Sequence, residues 1–135
     1  MAINTIEQAI ITQLETVITT LQVEGFPDKP SEYRLLHPTG AVLVSYNGSN
    51  FSTPEGAGFI LQTQNVEISV TVIVRNLRDK NGAYAHIDSI IDTLTGFSPG
   101  GCGKMYPTSV TFLAENNGIW QYGLTFIAPS ENYKP

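Results

Sequence analysis

Charge is what this chain has least of. Only 14% of its 135 residues are Asp, Glu, Lys or Arg, against about 25% in an ordinary soluble domain. A surface short of charge suits one that a partner will cover. Basic residues are scarcer still: seven against twelve acidic ones, for a net charge of -5. Only the stretch from Arg75 to Lys80 gathers any of them, with Asp79 among them. Phosphate binding needs clustered Lys and Arg, so a surface that grips nucleic acid is not expected. A single cysteine, Cys102, rules out an intrachain disulfide and fits a reducing cytosol. The N-terminus lacks the basic and apolar segments of a signal peptide. No apolar run approaches the roughly 20 residues of a membrane span, so no membrane partner is expected.

What is present is an ordinary apolar fraction, 41%, in a length that suits one domain over residues 1–135. A chain of this size buries about two-thirds of its unfolded surface. Ile3, Ile6, Ile10, Leu14, Val17, Ile18 and Leu21 recur at spacings of three and four, which predicts an N-terminal helix within residues 1–24. Asn4 with Glu7 resembles a capping box, and Gly25 and Pro27 are the expected stops. Pro27, Pro30, Pro38 and Gly40 punctuate a connector. Ala41 to Tyr46 reads as a strand, and Asn47 to Gly58 as a long Gly/Ser/Asn/Pro loop. Phe59 to Arg75 reads as a long strand, with a break expected near Gln64-Asn65. From Val66 to Val74 it alternates strictly except at Ile73.

Asp79 or Asn81 is the expected cap of a second helix, whose stripe is Ala83, Ile87, Ile90, Ile91 and Leu94 and whose end is Gly96. Tyr106 to Glu115 and Ile119 to Ala128 read as strands of a hairpin turning at Asn116-Asn117-Gly118. Trp120, Tyr122, Leu124 and Phe126 share one face of the last strand. The tail over 129–135 is expected to be flexible. The order is α-β-β-α-β-β: an α+β domain, mostly antiparallel sheet with two helices packed on it.

Chemistry-bearing patterns are few. Gly100-Gly101-Cys102-Gly103-Lys104 resembles part of a phosphate-binding loop. That loop requires Gly where Ser98 stands and Ser or Thr where Met105 stands. It also runs from strand to helix, whereas this segment leaves a helix and enters a strand. Cys102 among glycines reads as a mobile exposed thiol, and nothing in the sequence places His86 beside it. His37 and His86 lack partners at metal-ligand spacing. Asp88 and Asp92 lie off the apolar stripe of their helix and read as a solvated pair. No catalytic, metal-binding or cofactor-binding residue is expected, so the chain reads as a non-enzyme without a cofactor.

The C-terminal half carries a recognisable series of motifs. Asn81-Gly82-Ala83-Tyr84 leads the second helix, which closes with Gly96-Phe97-Ser98-Pro99. Phe112 and Glu115 follow, then Gly118-Ile119-Trp120-Gln121-Tyr122-Gly123-Leu124-Thr125-Phe126. Over residues 75–128 this series resembles the Mu-like Gp37 family of phage tail proteins, with a fold akin to phage tail terminators. The Gly100–Gly103 run and the Asn47–Gly58 loop are departures from it. Gly82, Gly96, Pro99, Gly118, Trp120 and Tyr122 are its fold-defining positions.

The resemblance implies a virion protein assembled in the host cytoplasm. It would form a ring, a hexamer, at the head-proximal end of a contractile tail. Its partners would be further copies of itself, the tail tube protein, the sheath protein and a neck or connector protein. Genomic DNA would pass through the lumen without specific binding, for which an acidic balance is suited. A head–tail connector ring is the alternative, and a small ligand-binding or enzymatic domain a third reading. The residues expected at an assembly interface are Tyr46, Asn47, Asn50, Phe51, Pro54 and Glu55 in the long loop, with Tyr46 and Phe51 as anchors. Asn132 and Tyr133 are expected to act in a separate C-terminal arm.

Overall fold

A computed structural model describes residues 2–28 and 39–135. The chain runs α1 (Ile3–Glu15), β1 (Gln22–Gly25), β2 (Gly40–Phe51), β3 (Ile60–Val74), α2 (Ala83–Leu94), β4 (Tyr106–Asn116) and β5 (Ile119–Lys134). The strands form one sheet in the order β1-β2-β3-β5-β4. Every pairing is antiparallel except that of β1 with β2. The single α+β domain and its element order are as the sequence implies, with β1 as an addition.

The alternation in β3 does what period two requires. Val66, Ile68, Val70, Val72 and Val74 all turn to one face and are buried there. Val42, Val44, Leu124, Phe126 and Ala128 join them from β2 and β5. The helices close this layer with Ile6, Ile10, Ile11 and Leu14 from α1, and Ala83, Ile87, Ile90 and Leu94 from α2. Each fully buried Val, Ile, Leu or Phe among them stabilises the fold by about 1.5–3 kcal/mol. Ile73, the exception to the alternation, is buried on the opposite face with Ala41 and Leu43, under Phe26 and Ile119.

Several local expectations need correction. The first helix stops at Glu15 rather than Gly25. Thr16 to Thr20 is an unbroken β-branched run, poor in helix propensity, and the Thr16 hydroxyl donates to the Gln13 carbonyl at 2.6 Å. Ile18 and Leu21 still reach the core, whereas Val17 is exposed. Gln22–Gly25 then pairs in parallel with Ala41–Val44. Asn4 is not a cap: Ala2 holds that position with no side-chain bond. Gly82, not Asp79 or Asn81, caps α2, while Asp79 Oδ1 accepts the Asn81 N–H at 2.9 Å in the turn before it. Pro30, His37 and Pro38 lie outside the described residues.

The largest correction concerns the two polar segments. Asn47–Phe51 is not loop but the continuation of β2, past a bulge between Tyr46 and Gly48. Strand β3 runs through Gln64-Asn65 without a break. Pro129–Lys134 is not a loose tail: it pairs with Ile60–Asn65 as the end of β5. Pro129 is tolerated there because β4 has already ended, its last partner being Ile127 opposite Tyr106, and Pro is accepted at a strand edge.

Candidate functional site

Beyond Val66 and Ala128 the core ends, but three strands continue. Asn47–Phe51, Ile60–Asn65 and Pro129–Lys134 form a three-stranded projection, closed at its tip by residues 52–59. The expected loop and the expected C-terminal arm are therefore parts of one arm. Ladder bonds make it: the Ser52 N–H donates to the Thr63 carbonyl at 2.9 Å and the Glu55 N–H to the Leu61 carbonyl at 2.8 Å. Side chains add to them. Asn132 Nδ2 donates to Gln62 Oε1 at 2.8 Å, Gln62 Nε2 to the Ser52 carbonyl at 2.8 Å, and Asn47 Nδ2 to the Glu67 carboxylate.

Aromatic side chains crown this arm. Phe51 is 54% exposed and Tyr133 58%, and Tyr133 lies against Phe59 with ring centroids 6.2 Å apart. Tyr46 stands at the base of the arm, its hydroxyl 2.7 Å from Ser49 Oγ. Asn50, Pro54 and Glu55 are all exposed. Phe59 and Ile60, which the sequence reading left as ordinary strand residues, are exposed apolar members of the same surface.

The fold-defining positions serve geometry. A Cβ on Gly82 would lie 2.6 Å from the Leu77 carbonyl, so only glycine allows that approach. Gly96 (φ 84) follows α2, and its N–H donates to the Met105 carbonyl at 2.8 Å. Asn117 (φ 53) and Gly118 (φ 82) make the two-residue turn of the β4–β5 hairpin, where the Gly118 N–H donates to Glu115 Oε2 at 2.8 Å. Pro99 is buried, and its carbonyl accepts the Cys102 N–H at 2.9 Å. Trp120 and Tyr122 are half-buried beside the core, and both touch Phe112, at 6.2 and 5.6 Å between ring centroids.

The candidate reactive groups do not converge. Cys102 is buried rather than exposed, because its glycine-rich link folds against the core, and burial pushes its thiol pKa up. A protonated, enclosed thiol is a poor nucleophile. His86 is buried in α2, and burial holds its pKa below the ordinary value. Asp88 and Asp92 are exposed. Among the described residues, no three His, Cys, Asp or Glu side chains gather as metal ligands. None of the helices among them is long and apolar enough to cross a membrane. A cleft of about 450 Å³ lies between the arm and the Gly101–Gly103 link. Its ionisable liners are the carboxylates of Glu55 and Glu131.

One surface escaped the sequence reading. Strand β4 is the sheet edge, and nearly every residue on it is exposed. Tyr106, Val110, Phe112 and Leu113 stand out as large apolar side chains there, the last two each 52% exposed. The signal was present in the lack of any charge from Tyr106 to Ala114, since exposed edges are commonly guarded by charged residues; Pro107 near its start is the one guard of another kind.

Among the described residues, the small α+β body carries an aromatic arm and an uncharged sheet edge and gathers no convergent reactive groups. The Gp37 protein family matches residues 10–133. The chain belongs to that family, as its C-terminal motifs indicated. None of the curated proteins matches it. Among solved structures, 23 chains match. One is a chain from the virion of a native gene transfer agent particle, with a TM-score of 0.61 and 15% identity over 96% of each chain. That likeness is one of fold, and it spans the whole domain.

Proposed function

We propose that the chain is a non-enzymatic structural protein of a phage-like virion, and within it the terminator of a Mu-like contractile tail. In this reading copies assemble in the host cytoplasm into a six-membered ring that caps the tube and sheath at the head-proximal end of the tail. The ring halts polymerisation and offers a docking surface to the neck protein. One observation carries the reading: a family member whose fold matches, end to end, a chain taken from a virion particle.

The surface chemistry supports it. The arm formed by Asn47–Phe51, Ile60–Asn65 and Pro129–Lys134 is suited to reach a neighbour, with Tyr46, Phe51 and Tyr133 as rigid anchors and Asn47, Asn50, Pro54, Glu55 and Asn132 as adaptable contacts. The sheet face away from the helices is suited to a DNA-conducting lumen. Residues paired across strands share a face, and the registers put Ser69, Thr71, Gln121 and Thr125 on that side. The charged strand residues there are Glu24, Glu67 and Glu131, all acidic. Such a face repels phosphate and lets DNA slide.

Deleting the gene from its own phage and measuring tail length tests the proposal. A terminator's loss gives tails of uncontrolled length that fail to join heads. Tails of normal length that merely stay unattached would instead indicate a head–tail connector ring.

A further inference from the structure

A strand at a sheet edge leaves one row of backbone N–H and C=O groups without partners in the sheet, and natural domains guard such rows with charge. The edges of this sheet differ sharply in that respect. The free edge of β1 carries Glu24, and the edge that β5 leaves free past β4 carries Glu131 and Lys134. The β4 edge carries no charge over nine residues, Tyr106 to Ala114. The outer edge of β2 is covered by β1 only as far as Val44 and Phe26. At Tyr46 the main chain bonds to the Glu7 carboxylate from α1. From Asn47 to Phe51 the edge is uncharged, and no strand among the described residues pairs with it. Thus one uncharged edge lies on each side of the sheet, that of β4 being interrupted only by Pro107 and two bulges.

The topology also fixes how two such edges meet. Strands β2 and β3, β3 and β5, and β5 and β4 are each antiparallel, so β2 and β4 run in opposite directions. Two copies in the same orientation, one displaced along its strands so that Thr111 (level with Thr71 of its own β3) meets Ser49 (level with Val66), therefore present β4 antiparallel to the neighbour's β2 beyond the end of β1. That is the pairing with the better hydrogen-bond geometry. It is also a head-to-tail contact between two different surfaces, the kind that builds a ring when the rotation between successive copies closes.

Resting on the ring reading above, we infer that β4 of each copy pairs antiparallel with the Asn47–Phe51 edge of the next copy, so that the sheet continues from protomer to protomer. The exposed Val110, Phe112 and Leu113 then lie beside the neighbour's arm, where Tyr46 and Phe51 supply apolar cover. The acidic faces join into one continuous surface. A five-residue pairing is short, so assembly depends on concentration and is completed at the tube end.

Two variants test this. Val110→Lys with Thr111→Lys guards the β4 edge, and Asn47→Lys with Asn50→Lys guards the β2 edge. Native mass spectrometry would follow each variant alone, both mixed, and the unaltered chain at rising concentration with and without tube protein. The expected result is that the unaltered chain assembles, each variant alone stays monomeric, and the equimolar mixture gives a one-to-one heterodimer and nothing larger. In that heterodimer one intact β4 edge meets one intact β2 edge, and its formation also certifies that both variants are folded. A β2-edge variant that alone assembles like the unaltered chain, or forms a homodimer through β4, overturns the inference and leaves the ring reading standing. A mixture that stays monomeric does the same. An unaltered chain that is monomeric under every condition, tube included, overturns both.

Discussion

Phe126 and Trp120 share one face of β5, yet they differ in what surrounds them. Phe126 is fully enclosed between sheet and helices, so Phe126→Ala leaves a cavity and should cost about 3–5 kcal/mol. Trp120 is half-buried against Phe112 at the hairpin end, and Trp120→Ala should cost roughly 1–3 kcal/mol. Chemical denaturation of both variants checks the order, and a Trp120 variant that unfolds more readily than the Phe126 variant would contradict the packing. His86 supplies a pH dependence. Its Nε2 is buried without a hydrogen-bond partner, and burial lowers its pKa from 6.5 against the weaker upward pull of the Asn81 backbone and the Asp79 charge. The unfolded chain therefore takes up a proton at pH values where the folded chain does not. Stability from this site is full above about pH 6.5 and falls as pH drops below it, down to the depressed folded pKa. Thermal unfolding between pH 7.5 and 5.5 should show the decline, and His86→Leu should flatten it.

At the scale of elements, the arm makes two opposite predictions. Replacing residues 53–58 with a short Gly-Ser turn should leave the melting temperature nearly unchanged, because the tip adds little to the core and loop length costs little. Removing residues 129–135 should lower it, because Ile60–Asn65 then loses its pairing with β5. Both variants should fail to restore normal tails in complementation, and a truncation with unchanged melting temperature would contradict the strand pairing. The arm also marks where the sequence stopped being legible. Val66 to Val74 and the Asn117-Gly118 turn could be read because the side chains themselves dictate the conformation. Asn47–Phe51 and Ser130–Lys134 have weak strand propensity. They are strands because β3 lies between them and supplies hydrogen bonds to both sides, a long-range effect that no local pattern encodes. Likewise Gln22–Gly25 follows directly on a helical hydrophobic repeat that ends at Leu21, and only the proximity of β2 makes it a strand. The anchors Tyr46, Phe51 and Tyr133 were visible as residues. That the last belongs to the same surface as the first two was not.

For the whole molecule, the proposal is a domain that assembles beside copies of itself and at the end of a tube. Low charge, an aromatic arm, an uncharged β4 edge and an acidic sheet face each fit that role. The most direct measurement is electron microscopy of tail tubes grown from purified tube protein with gold-labelled chain added during growth. The account predicts a ring of label at one end of each tube and tubes that stop lengthening once the ring is in place. Tubes that keep growing with bare ends, or label scattered along their length, would contradict it.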